Sequence, residues 1–452
     1  MTIAAIATPH AVGGISVIRI SGEEAFSIAD RVFKNISGKK VSEMGANTCS
    51  YGKIIKDGEE IDDGVVTVFH APKSYTGEDI VEISCHGGIY ITDTVLRTII
   101  ENGAMPAAPG EFTKRAFLNG KMQLTEAEAV ADIIASEGEY AVKSANAVKK
   151  GVLHNKIKSV SDEILKLLGE LGAWVDYPEE DIPAVDEKNM IATLENSTEK
   201  LNKILSMYNN GKILREGIDT VLAGRPNVGK STLMNLLSGC ERSIVTNIAG
   251  TTRDIVEEKV RLGNFILRLS DTAGIRETKD IVENQGVKKA YEKINNADLI
   301  IALFDNSQEL TKEDFELIDR IKDKNVIAVI NKCDCDDKID RKYISDNFEF
   351  SVEISALNNH GTEELKNKIE QIFHIKNFDS TSDVIINERQ KRCLEISLKS
   401  AGEALNAIKM GETLDAVTVI IDEMVEPLLE LTGERVSEAV VNEVFANFCV
   451  GK

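Results

Sequence analysis

The chain has no C-x-x-C pair, no apolar run near the length of a membrane span, no excess of basic residues and no internal repeat. Each absence excludes something. Seven scattered cysteines argue against a disulfide frame and for reduced thiols in a cytosol. The closest pair, Cys333 and Cys335, lies in a loop that nucleotide chemistry explains below, so it is read as non-metal. Without about 18 consecutive apolar residues no helix crosses a bilayer. The opening Met1–Pro9 lacks a basic stretch and carries an early proline, so no signal peptide is expected and the protein reads as cytoplasmic. A net charge of −21 excludes nonspecific coating of nucleic acid. It leaves room for a local basic patch on the helical segment with Lys143, Lys149, Lys150, Lys156 and Lys158, for which a solvated helix face is the favoured reading.

What is present suits a multidomain globular protein. The 452 residues are 42% hydrophobic and 28% charged, enough for two to four domains. Up to residue 118 the pattern is mixed α/β, with strand-like runs at Gly14–Ile20, Gly64–Phe69 and Ile80–Ser84. From Leu124 to Leu171 apolar residues recur at helical spacing over nearly fifty residues. Between 213 and 376 strands alternate with helices, which predicts a doubly wound α/β module with ligands at the carboxyl ends of its strands. Helices return after it. Because short amphipathic helices need partners, the flanking blocks are expected to form one helical domain with the module inserted. The expected divisions are 1–118, 119–212, 213–376 and 377–452.

The inserted module carries the chemistry. Gly224-Arg225-Pro226-Asn227-Val228-Gly229-Lys230-Ser231 follows the strand-like Ile218–Ala223 and precedes a helical pattern, the setting of a phosphate-binding P-loop. Backbone N–H groups and a helix N-terminus favour phosphate, Lys230 reaches the outer phosphates, and Ser231 can bind Mg²⁺. The base is set by Asn331-Lys332-Cys333-Asp334. A carboxylate at Asp334 accepts from the two donors of guanine, which adenine lacks. Ser355-Ala356 follows the next strand, where a backbone N–H can reach the guanine oxygen. Asp271-Thr272-Ala273-Gly274 would hold Mg²⁺ through water and sense the γ-phosphate, and Thr251-Thr252-Arg253-Asp254 reads as a segment ordered by GTP. Ras-like GTPases use a glutamine two places after the alanine to orient water; here that place is Ile275. Glu283 is the candidate for that role, with a solvated helix glutamate as its alternative.

These motifs, with Ile248-Ala249-Gly250-Thr251-Thr252-Arg253-Asp254, Ser74-Tyr75-Thr76-Gly77-Glu78-Asp79, Cys85-His86-Gly87-Gly88, Pro109-Gly110-Glu111-Phe112-Thr113 and Cys449-Val450-Gly451-Lys452, resemble the MnmE (TrmE) family of tRNA modification GTPases over essentially the full length. The resemblance implies an N-terminal α/β folate-binding and dimerisation domain, a helical domain and the inserted G domain. It implies a homodimer that joins a flavin-dependent partner, MnmG (GidA), in a heterotetramer and modifies the wobble uridine of tRNA at its fifth carbon. By position, Arg19, Glu82, Lys121 and Lys452 would contact a 5-formyl- or methylene-tetrahydrofolate. GTP would lie on Asn227, Val228, Gly229, Lys230, Ser231, Thr232, Thr246, Thr252, Asp271, Thr272, Ala273, Gly274, Asn331, Lys332, Asp334, Ser355 and Ala356, with Mg²⁺ on Ser231 and Thr252. K⁺, held by Asn227, Thr246, Ile248 and Thr251, would stand where other GTPases place an arginine finger.

Two residues keep two readings. Cys449 is either a thiol nucleophile, which needs a lowered pKa, or a small buried hydrophobe beside Phe448. His86 either touches ligand or, as the favoured reading, is a hydrogen-bonded structural histidine. The alternatives for the whole chain are a ribosome-assembly GTPase of the Era or Der type and a folate-binding scaffold with vestigial GTPase activity. Neither a KH-type module nor a second G domain is found, and the five nucleotide motifs are intact.

Overall fold

The computed structural model describes residues 1–136, 138–176, 187–208, 213, 217–240, 258–271, 293–373, 386–446 and 448–452. They fall into two compact units. One comprises Met1–Ala131, Val148–Leu201 and Arg392–Lys452, the other Asp132–Ala147 and Asn202–Lys391.

The first unit contains a seven-stranded sheet. Its strands are β1 (Ile3–Ile6), β2 (Ile15–Ser21), β3 (Phe33–Asn35), β4 (Thr48–Lys56), β5 (Glu59–Phe69), β6 (Ile80–His86) and β7 (Met105–Pro106), in the order β3-β4-β5-β6-β2-β1-β7. All neighbours are antiparallel except β1 and β7. Period-two alternation decides what each face carries. Ile18 and Ile20 of β2 and Val81 and Ile83 of β6 enter a core with Ile28 and Val32 of α1 (Ala25–Val32) and Val95 and Ile99 of α2 (Ile89–Glu101). Arg19 and Glu82, directly paired across β2 and β6, therefore share the opposite face.

The stretch of helical spacing from Leu124 to Leu171 forms three helices: α4 (Leu124–Ala135), α5 (Glu139–Lys149) and α6 (Val152–Asp176), after a short α3 (Glu111–Leu118). Helix α4 ends at Ala135 and a turn at 150–151 separates α5 from α6, while the apolar spacing runs on across both breaks. The helical blocks on either side of the module do pack together. Helix α6 lies against α13 (Leu414–Thr432), and Lys158 Nζ donates to Glu434 at 3.0 Å. Helices α7 (Glu187–Ser206), α12 (Glu388–Met410) and α14 (Glu438–Ala446) complete this part among the described residues.

The second unit holds a six-stranded sheet in the order β13-β12-β11-β8-β10-β9. These strands are β8 (Ile218–Ala223), β9 (Glu258–Leu262), β10 (Phe265–Asp271), β11 (Leu299–Asp305), β12 (Val326–Asn331) and β13 (Phe350–Ile354). Every pairing is parallel except β9 with β10. Strands β11 and β12 are buried at every residue, as a sheet covered on both faces requires. One face packs on Leu233 and Leu237 of α8 (Lys230–Cys240) and Leu365 and Ile369 of α11 (Thr362–Ile372). The other packs on Ile318 and Ile321 of α9 (Lys312–Ile321) and Ile344 of α10 (Arg341–Asn347). The unit is thus the doubly wound arrangement the sequence predicts, and its parallel strands deliver Gly224, Asp271, Asp305, Asn331 and Ser355 to one edge.

Candidate functional site

The P-loop leaves β8 at Gly224 and turns into α8 at Lys230. Asn227 sits at φ +65° and Gly229 at φ +102°. Glycine is required at 229, because a Cβ there would lie 2.1 Å from Asn331 Nδ2. Lys230 is buried, and its Nζ donates to the carbonyls of Gly224 at 2.7 Å and Arg225 at 2.8 Å. Val228 is buried, while Ser231 and Thr232 are exposed on the first turn of α8, where N–H groups and the helix dipole favour an anion.

Asn331 links the Asn331–Asp334 loop, the P-loop and Ala356 with both ends of one amide. Its Nδ2 donates to Val228 O at 2.8 Å, and its Oδ1 accepts from Ala356 N at 3.1 Å. Ser355 Oγ donates to Asp334 Oδ1 at 2.5 Å. That hydroxyl is the main reason the Asp334 carboxyl stays below its ordinary pKa, ionised and able to accept. Lys332 Nζ donates to Asn227 O at 3.0 Å and Asp305 Oδ2 at 2.5 Å. Burial alone would raise the Asp305 carboxyl, but hydrogen bonds from Lys332 and Ser307 outweigh it and hold it below the usual carboxylate value.

Sequence reasoning missed two members of this edge. Asp305 ends a strand at the edge where ligands are expected, and that position was its only signal. Arg225, inside the P-loop motif, pairs at 2.8 Å with Asp314, which is 1% exposed and also accepts from the Thr311 N–H at 2.9 Å. This contact fastens the loop to the start of α9 and has no sequence signal.

Asp271 ends β10 directly beside Leu222 of β8, and its side chain lies outside what is described. Thr246, Ile248, Thr251, Thr252, Thr272, Ala273, Gly274 and Glu283 also lie outside the described residues.

In the first unit Arg19, Glu82 and Lys452 line one cavity of about 190 Å³ with Phe69, Tyr75 and Ile80. Arg19 Nε donates to Glu82 Oε1 at 2.8 Å, and its guanidinium lies 5.5 Å from the Tyr75 ring centre and 5.6 Å from that of Phe112. Burial and the neighbouring Arg19 charge depress the Lys452 ammonium. The tail is seated by its backbone: Lys452 O accepts from Phe112 N at 3.1 Å, and Arg19 donates to Gly451 O at 3.4 Å. Tyr75 and Phe112 lie inside motifs that carry the family resemblance, yet nothing in their spacing marks them as neighbours of Arg19. Lys121 does not line this cavity. Its Nζ donates to Pro72 O at 2.9 Å, in the loop that carries Tyr75.

The buried-hydrophobe reading of Cys449 is corrected. Phe448 fills the core position, and Cys449 is exposed. His86 is exposed, with Nδ1 2.7 Å from Asp62 Oδ1, a hydrogen bond that raises its pKa. In the basic segment Lys143 pairs with Glu139 and Lys158 with Glu434, in keeping with a solvated face.

Two family descriptions match: the GTP-binding protein TrmE N-terminus over residues 2–121 and the MnmE helical domain over residues 124–449. The tRNA modification GTPase MnmE of Clostridioides difficile (strain 630) is 41% identical over 100% of this chain and 99% of its own length. The chain belongs to the MnmE family. A second member, from Thermoanaerobacter sp. (strain X514), shares the same 41% identity over 100% of this chain and 99% of that one. Among solved structures, the G domain of the T. maritima FeoB iron transporter is 28% identical and covers 34% of this chain and 98% of its own, with a TM-score of 0.27. As an MnmE-family GTPase the chain combines a TrmE-type N-terminal domain, a helical domain and a P-loop G domain. No described helix is long and apolar enough to cross a membrane.

Proposed function

We propose that this protein is the GTP-hydrolysing component of a tRNA modification complex acting on the wobble uridine, where it supports a C5 carboxymethylaminomethyl-type modification. It works as a homodimer with a flavin-dependent MnmG-type partner in a heterotetramer, and the divisions at 118, 212 and 376 mark its domains. The observation that carries this reading is the Asn331 amide, which clamps a guanine-selective Asp334 loop to the P-loop in a chain matched along its whole length by MnmE proteins.

The donor set fits the implied ligands. Ser231 offers its hydroxyl to Mg²⁺ at the start of α8, and Thr252 would complete that shell. Asn227, with Thr246, Ile248 and Thr251, would hold K⁺, which offsets charge developing at the phosphates during hydrolysis. With nucleotide bound, Lys230 would neutralise the outer phosphates, Asp271 would help to hold the metal, and Asp334 would fix the base. In the N-terminal domain two cations, a carboxylate and aromatic faces fit the carboxylates and ring of a tetrahydrofolate, which supplies a one-carbon unit. At about 190 Å³ the cavity is below the roughly 300–1,000 Å³ usual for ligand sites, so the second copy of a homodimer would supply further wall.

The test compares GTP hydrolysis in K⁺ and Na⁺, with and without the flavoprotein, and analyses tRNA nucleosides from a deletion strain. Hydrolysis is expected to depend on K⁺, and Asn227→Ala to abolish that dependence. Equal rates in the two salts refute the cation reading, and a nucleoside profile in the deletion strain unchanged from wild type refutes the tRNA reading.

A further inference from the structure

Among the described residues a second side chain, besides Asn331, joins the base-reading loop to the P-loop. Asn331 holds Val228. The other is Lys332, whose ammonium reaches the Asn227 carbonyl at 3.0 Å. Asn227 at φ +65° and Lys332 at φ +63° both occupy the left-handed region, which side-chain-bearing residues enter only when their surroundings hold them there. The holding group stands behind Lys332. Asp305, the last residue of β11, is 2% exposed. Its Oδ1 accepts from Ser307 N at 2.9 Å and Ser307 Oγ at 2.7 Å. Its Oδ2 accepts from Gln308 Nε2 at 3.2 Å and Lys332 Nζ at 2.5 Å. A carboxylate with four donors in a buried position cannot swing, so it fixes the direction of the one cation it contacts.

We propose that Asp305 is a positioning residue: it aims Lys332 at the Asn227 carbonyl, and so locks the P-loop residue at the cation side of the pocket to the loop that reads the base. Asp305 acts through Lys332, since its four hydrogen-bond donors come from Ser307, Gln308 and Lys332. Loss of this carboxylate frees the Lys332 ammonium and releases Asn227, and the defect appears at the phosphate end of the pocket. This inference rests on the nucleotide reading of the pocket and adds to it a route between its two ends.

The experiment is a double-mutant cycle in the full-length chain, with fluorescently labelled GDP as the probe. Asp305→Asn and Lys332→Gln are each expected to weaken GDP by about tenfold, the effect of one lost charge-assisted hydrogen bond. The double variant is expected to be no weaker than Lys332→Gln alone. Additive losses, or wild-type affinity in Asp305→Asn, overturn the proposal. The second readout is the K⁺ concentration for half-maximal hydrolysis at saturating GTP, which should rise in Asp305→Asn. If Asp305→Asn does not fold, Lys332→Gln must by itself raise that K⁺ requirement, and an unchanged requirement overturns the proposal. A wild-type enzyme indifferent to K⁺ refutes the cation reading alone, and the GDP cycle still decides the coupling.

Discussion

Asp334 is exposed to solvent yet fixed by the Ser355 hydroxyl, an arrangement suited to the guanine-accepting role proposed for it. Replacement by asparagine exchanges one acceptor for a donor, which no longer matches guanine and does match the extra carbonyl of xanthine. Asp334→Asn is therefore expected to weaken GTP by one to two orders of magnitude, as for a lost charged hydrogen bond with an unpaired partner, and to favour xanthosine triphosphate. Competition binding with the two nucleotides measures the exchange. At this scale the sequence was readable in placement: Lys230, Asn331 and Asp334 do gather at the strand ends that their motifs mark. It was silent where a residue acts through another. Asp305 and Asp314 are ordinary acidic letters until folding buries them against Lys332 and Arg225.

Elements differed in how plainly they could be read. The parallel strands were legible because burial on both faces demands an unbroken apolar run, as in Leu299–Asp305. Strand β4, Thr48–Lys56, was not, since its mixed burial leaves no period for composition to follow. The tail strand-end contact was also hidden. Gly451 sits at φ +96°, and a Cβ there would lie 2.3 Å from Ile6 O, so only glycine lets the last residues meet β1. Gly451→Ala is expected to displace the tail, draw its carbonyl away from Arg19, and reduce the proposed tetrahydrofolate binding to the level of Arg19→Ala. Isothermal titration with 5-formyltetrahydrofolate reads this, and undiminished affinity would show that the pocket stands without the tail.

For the whole molecule, separate cores imply separate responses. The described residues of the proposed nucleotide site all belong to the second unit. GDP at a hundredfold excess over its dissociation constant should stabilise that unit by about 2.7 kcal/mol. Differential calorimetry should then show a nucleotide-dependent transition that rises and a second one that holds still, and a uniform shift of a single transition would mean that the units melt as one. The division into sheet, helices and inserted module was legible from changes of period along the chain. The recruitment of Asp132–Ala147 to the second unit was not, because a helix's spacing names its buried face but not what covers it.

One unit being assembled from three separated stretches of chain has a consequence for biosynthesis. As the polypeptide leaves the ribosome, the N-terminal sheet can close at once, but α6 must wait for α13, encoded far downstream. At roughly 5–20 residues per second the apolar stripe of α6 stays uncovered for tens of seconds while the inserted module is being made. Nascent chains stalled just short of Leu414 should therefore be the ones that most need a chaperone.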